Sequence, residues 1–156
     1  MIGRLTLKEM EQVLENQAIG RIGCSIDNQP YIVPITYAYD GKYIYGHSRD
    51  GKKIHMMRQN PKVCFEVTKM RDMSNWKSVV IQGEFQELIG EKAREAMEFF
   101  MESLKPHTLS QTGIFTNGIN KFHHEEQSAT KTVIFRIKIN EKSGRFEREK
   151  IHHFIG

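Results

Sequence analysis

The sequence predicts a mainly β protein with helices, built as a six-stranded antiparallel barrel, and three observations carry that reading. Short runs rich in β-branched and aromatic residues recur at Gly20–Ile26, Tyr31–Tyr39, Lys42–Gly46, Val63–Thr68 and Ser78–Leu88, with a sixth at Thr132–Ile139. The pair Asp40-Gly41 between the second and third runs is a hairpin signal, because a tight turn needs positive φ where glycine costs least. The short connections do not leave room for a crossover helix after each strand, so antiparallel pairing is favoured over parallel βαβ units.

Thr6-Leu7-Lys8-Glu9 has the spacing of a capping box, with Leu5 and Met10 set for a hydrophobic staple, and predicts a helix from Leu7 to about Asn16. Its apolar face is Leu7, Met10, Val13 and Leu14. After Ser48 the period changes. Gly51 precedes Lys52, Lys53, Ile54, Met56, Met57 and Arg58, a short helix that Asn60-Pro61 stops, since the residue before proline is pushed out of the helical region. A longer helix is predicted over Glu91–Leu104, with Ala93, Ala96, Met97, Phe100, Met101 and Leu104 at helical spacing. Phe99 falls off that face, as either a lone exposed apolar residue or a dimer contact. Lys105–Lys131 is irregular and long for a loop in a compact domain, a candidate cover for an active site. Ser143-Gly144 reads as a turn into a last segment, Arg145–Lys150, that could form a final strand.

A length of 156 residues suits one domain with a real core, and nothing in the composition marks a linker. Hydrophobic residues make up 38% and charged residues 27%, an ordinary soluble composition without an apolar run of membrane-spanning length. The start, Met1-Ile2-Gly3-Arg4-Leu5, has no apolar leader core, so a cytoplasmic location is expected. The charge of +4 comes from 23 Lys and Arg against 19 Asp and Glu scattered along the chain, which points to a solvated surface rather than a nucleic-acid footprint. Cys24 and Cys64 lie in separate predicted strands without redox or zinc spacing and read as buried free thiols.

The chemistry concentrates between Tyr31 and Gly83. A short helix that starts at Gly51 with Lys52 and Lys53 in its first turn presents open backbone N–H groups and positive charge together, which suits a phosphate. Its alternative is a pair of surface lysines. Pro34 interrupts a strand-like run and cannot donate to a ladder, so that strand is an edge, is bulged, or turns Val33, Ile35 and Thr36 toward a planar ligand. His123-His124-Glu125-Glu126 and His152-His153 lack the spacing of metal sites and read as polar surface. No glycine-flanked nucleophile elbow supports hydrolytic chemistry.

Taken in order, Gly20-Arg21-Ile22-Gly23, Pro34-Ile35-Thr36-Tyr37, Gly46-His47-Ser48, Gly51-Lys52-Lys53, Asn60-Pro61 and Ser78-Val79-Val80-Ile81-Gln82-Gly83 resemble the flavin-binding split β-barrel proteins related to pyridoxamine 5′-phosphate oxidase. The short branch that includes nitroimidazole-resistance proteins is the most similar. The resemblance implies a Greek-key split barrel and a homodimer with FMN at the subunit interface. It implies that Val33, Pro34, Ile35 and Thr36 line the isoalloxazine and that Gly46, His47 and Ser48 approach the phosphate or ribityl chain. Lys52 and Lys53 would bind the phosphate, and Trp76 and Ser78 would complete the pocket. The implied activity is flavin-mediated electron transfer, with NADH or NADPH as a possible donor and a small nitro compound or quinone as acceptor. The alternative is a non-catalytic holder of flavin, deazaflavin or haem. The chain departs from the oxidase in having Lys52 where that enzyme has an arginine, and in its short end, Ile151-His152-His153-Phe154-Ile155-Gly156, so oxidation of pyridoxamine phosphate itself is not expected.

Overall fold

The two ends of the main sheet are consecutive in the chain, and Tyr37 alone separates them. A computed structural model, which describes residues 1–108 and 131–150, has strands β1 (Ile2–Arg4), β2 (Ile19–Ile26), β3 (Gln29–Thr36), β4 (Ala38–Tyr39), β5 (Tyr43–Arg49), β6 (Lys62–Asp72), β7 (Asn75–Leu88) and β8 (Thr132–Glu147). Helices α1 (Leu7–Asn16), α2 (Lys52–Gln59) and α3 (Gly90–Thr108) intervene. The antiparallel order is β3-β2-β6-β7-β8-β5-β4, with β1 on β8. Because β3 and β4 end the path yet adjoin in sequence, the sheet must curl round without closing by hydrogen bonds, which is a split barrel. Tyr37 is 2% exposed at this corner. Its N–H donates to the Ala18 carbonyl, its hydroxyl donates to the Leu14 carbonyl at 2.7 Å, and its ring meets Phe65 edge-on at 5.0 Å.

Inward residues alternate with outward ones along each strand. Ile22, Phe65, Val67, Val79, Ile81, Phe135 and Ile137 are fully buried, joined by Val13 and Leu14 of α1 and by Ile54 and Met57 of α2. The bulge between Gln82 and Gly83 bends the β7–β8 pair, and a Cβ at Gly83 would meet Ile137 Cγ2 at 2.7 Å. Helix α3 seals the β4–β5 side through a small cluster of Ala38, Phe100 and Leu104.

The expected strands are all present, and so are two short ones the sequence hides. Strand β1 exists through pairing with the distant end of β8, Ile2 opposite Glu147, and Tyr31–Tyr39 divides at the Tyr37 corner. The capping box forms as expected, with Thr6 Oγ1 accepting from Glu9 N–H at 3.2 Å and Glu9 accepting from Thr6 N–H at 2.9 Å. Leu7 departs from the expected apolar face, being 70% exposed while Met10, Val13 and Leu14 are buried. Ser143-Gly144 is no turn. Gly144 lies inside β8 opposite Val79, and the residue is glycine because an added Cβ would stand 2.9 Å from Leu5 Cβ and 2.8 Å from Met10 Cγ. Helix α3 runs through Pro106 to Thr108, so the first residues of the expected loop are helical; proline in a last turn removes only one ladder bond. Phe99 is half-buried against Tyr45 at 5.5 Å. Most of the Lys105–Lys131 segment, and the pairs His123-His124 and His152-His153, lie outside the described residues.

Candidate phosphate-binding site at the start of helix α2

Helix α2 begins where β5 runs out, and its first turn is chemically open. Gly51 is the N-cap and supplies no side-chain hydrogen bond, while Lys52 and Lys53 follow with no acidic residue in the first turn. Three N–H groups of a first turn have no helical partner, so this end offers donors and partial positive charge to an anion. The far end is closed by Asn60, whose N–H donates to the Met56 carbonyl at 2.9 Å and whose side chain donates to the Ser25 carbonyl at 3.0 Å.

The two lysines differ. Lys52 is exposed and its ammonium lies 4.5 Å from the centre of the Tyr31 ring, a cation–π contact that carries its charge toward β3. Lys53 is half-buried, and burial pushes its ammonium below the usual lysine value of 10.5, an effect that the Cys24 thiol opposes. Among the described residues no carboxylate pairs with it. A sheltered ammonium without a partner is costly, and an incoming anion would relieve that cost. Cys24 sits close by, 5% exposed, with its Sγ 4.0 Å from Met56 Sδ; desolvation raises its thiol pKa, so it is a packed thiol rather than a nucleophile. On the outward face of the sheet, across from α2, a mainly apolar cleft of about 660 Å³ is lined by residues that include Ile32, Gly23, Cys64 and Gln82, which the strand register sets in one row. That volume falls within the range of small-molecule sites, about 300–1,000 Å³.

The structure gathers some of the expected residues and separates others. Val33 is half-buried and packs with Tyr31 against the core, Ile35 is 7% exposed and Thr36 is half-buried. Pro34 is exposed opposite Arg21, and β3 is an edge strand as its proline requires. Gly46 and Ser48 point inward from β5; a Cβ at Gly46 would meet the Phe135 ring at 2.7 Å, so core packing alone accounts for that glycine. Ser48, 9% exposed, donates to the Arg49 carbonyl at 2.9 Å. His47 faces the other way, its ring edge-on to Phe100 of α3 at 4.8 Å. Trp76 and Ser78 are also apart from the lysines. The indole N–H donates to Glu147 at 3.0 Å, and the Ser78 hydroxyl donates to Glu66 at 2.8 Å on the outward face of the sheet. Cys24 and α2 occupy the inward face, and the register puts Ser78 opposite Thr68, about 13 Å along β6 from Cys64.

One feature of the site had no signal in the sequence. Arg58 in the last turn of α2 donates to both Glu87 oxygens at 2.8 Å and to Asp50 Oδ1 at 2.9 Å, and His55 Nε2 stands 3.0 Å from the same Asp50 oxygen. These hydrogen bonds hold the Glu87 carboxyl below the usual carboxylate range. Asp50 and Arg58 are eight residues apart, too far for a helical pair, so only the folded path from β5 into α2 brings them together.

A curled, unclosed antiparallel sheet whose end strands, β3 and β4, adjoin in the chain defines a split-barrel protein. The pyridoxamine 5′-phosphate oxidase family model matches residues 6–146, and the chain belongs to that family. An uncharacterized protein of Rhizobium meliloti is 33% identical over 144 residues, covering 90% of this chain and 92% of its own. Among solved structures, a FAD-binding protein from Mesorhizobium loti is 33% identical with a TM-score of 0.71, over 96% of this chain and 98% of that one. A putative 5-nitroimidazole antibiotic resistance protein from Bacteroides thetaiotaomicron shares the fold at 16% identity and a TM-score of 0.69, over 94% and 87%. The FAD and heme binding protein from Mycobacterium smegmatis shares it at 13% identity and a TM-score of 0.70, over 92% and 72%. Among the described residues no helix is long and apolar enough to cross a membrane.

Proposed function

We propose that this chain is a flavoprotein that holds FMN with its phosphate at the start of α2 and passes electrons to a small organic acceptor such as a nitro compound or quinone. The observation that carries this is Lys53, a half-buried ammonium with no carboxylate partner among the described residues, in a helix start whose N-cap makes no side-chain hydrogen bond. A phosphate satisfies both at once. Lys52 would add its charge at the rim from its place over Tyr31. When bound, the flavin supplies the redox chemistry, and the protein positions it and tunes its surroundings.

The separation of Ser78 and Trp76 from the lysines supports a homodimer. On the outward sheet face they would approach a flavin held by a second copy rather than their own, and Ile32 at 66% and Val80 at 37% exposure add apolar surface to that face. His47, turned toward Phe100, has no place beside the phosphate in this reading.

The test is the visible spectrum of the purified protein, followed by heat release and chromatography of the chromophore, then reduction by NADH or NADPH and reoxidation by candidate acceptors. Released FMN and turnover are the expected results. A colourless protein that fails to bind added flavin would sink the reading. FAD is the second reading, favoured by the 33% identical Mesorhizobium loti protein, and the same chromatography separates it from FMN.

A further inference from the structure

Asp50 directly precedes the N-cap of α2, so its Cα lies about 3.8 Å from that of Gly51. Aspartate is among the side chains best suited to accept from first-turn N–H groups. A free carboxylate here would compete with a phosphate for the same donors and repel it as well. Instead, Asp50 Oδ1 is turned to Arg58 Nη1 at 2.9 Å and His55 Nε2 at 3.0 Å. Arg58 spends the rest of its fork on Glu87 of β7, through Nε and Nη2 at 2.8 Å each. The side chains of Arg58, Asp50 and Glu87 are 33%, 33% and 25% exposed, so solvent and salt screen these pairs in part, and it is the three-way geometry that holds Asp50 in place.

We propose that Arg58 is a positioning residue for phosphate binding: it neutralises Asp50 and draws its carboxylate away from the open start of α2, while its grip on Glu87 fixes the helix against β7. This rests on the flavin reading of the same site. The planar guanidinium grips Glu87 with two donors and Asp50 with a third in one rigid fork, a geometry that a lysine's single nitrogen does not reproduce.

The test compares FMN with riboflavin, which lacks the phosphate, by flavin-fluorescence titration. In wild-type protein FMN binds more tightly than riboflavin. Arg58→Gln lowers that preference about tenfold, because Asp50 is released toward the phosphate while the ring contacts stay. Adding Asp50→Asn to Arg58→Gln restores the preference to within about threefold of wild type. Arg58→Lys, which keeps a cation opposite Asp50 but loses the fork, keeps the preference and lowers the melting temperature. Equal weakening of FMN and riboflavin in Arg58→Gln, or no recovery in the double variant, overturns the proposal. So does a lost preference in Arg58→Lys, which decides the matter if Arg58→Gln does not fold. Wild-type protein that binds FMN no better than riboflavin removes the phosphate assignment and this proposal with it. Failure to bind either removes the flavin reading itself.

Discussion

Replacing Lys53 by alanine separates binding from stability in one experiment. The ammonium is half-buried, no carboxylate among the described residues pairs with it, and burial lowers its pKa. A charge-assisted phosphate contact contributes about 1.5–3 kcal/mol, so FMN should bind about ten to a hundred times more weakly to Lys53→Ala. Riboflavin affinity should change by less than about threefold, because the ring contacts remain. The unliganded protein should melt at the same temperature or higher, since an unpartnered sheltered charge has been removed; Lys53→Met, which keeps the apolar stem, gives the cleaner comparison. The sign with pH is fixed too. A lysine with a lowered folded pKa makes the folded state bind fewer protons than the unfolded one, so stability rises with pH from that lowered value toward 10.5. Affinity for FMN moves the opposite way, falling as Lys53 loses its proton, and Lys53→Met removes that fall. Equal loss of FMN and riboflavin, or unchanged FMN affinity, would refute the assignment.

Thr6→Ala should destabilise the protein by about 1 kcal/mol in urea melts, because it removes the oxygen that accepts from Glu9 N–H at 3.2 Å. Gly83→Ala should cost about 1–3 kcal/mol or prevent folding, since the new methyl would meet Ile137 Cγ2 at 2.7 Å and the Lys138 carbonyl. Tyr37→Phe should cost about 1 kcal/mol by removing the 2.7 Å hydrogen bond that ties the β3–β4 corner to α1. Glu87, held below the usual carboxylate range chiefly by its Arg58 hydrogen bonds, contributes stability above the ordinary value of 4.5 that is lost as pH falls through its lowered pKa. Acid melts of Arg58→Gln should therefore lose part of the wild-type decline in that window.

What the sequence shows and what it hides divide along the range of the contacts. The Thr6–Glu9 cap, the Gly51 start and Asn60-Pro61 stop of α2, and the positive φ of 89° at Gly41 are decided within a few residues, and local chemistry is enough to read them. The β2–β3 turn also has positive φ, at Asp27 and Asn28, but carries no glycine to announce it. Gly144 shows the opposite error: its glycine signals close approach by Leu5 and Met10, and a turn and a tight contact look alike in one sequence. At the site, the placing of Lys52 and Lys53 at the start of α2 was legible because they share a turn with the Gly51 N-cap. Whether Ser48 and His47 point together was not, since adjacent residues on a strand face opposite sides and only α3 shows which side is which. The Asp50–Arg58–Glu87 cluster spans three elements and leaves no spacing to find.

The same alternation bears on how much of a flavin one chain can enclose. The proposed phosphate end is built from β2, β3 and α2 of a single chain, with Lys52 over the Tyr31 ring and Lys53 near Cys24. Trp76 and Ser78 face outward across the sheet, already engaged with Glu147 and Glu66, and no rotamer change carries a side chain through a hydrogen-bonded sheet. If these residues touch a flavin, it is one held by another molecule. Substituting Ser78 in a protein whose Lys53 is also replaced would then act on different sites of a dimer, and mixing the two single variants would regenerate one intact site per heterodimer. Flavin bound by such mixtures at near wild-type affinity, in up to about a quarter of all sites after statistical subunit exchange, is the outcome a shared site requires. Binding that stays weak at every ratio would instead place the whole pocket within one chain.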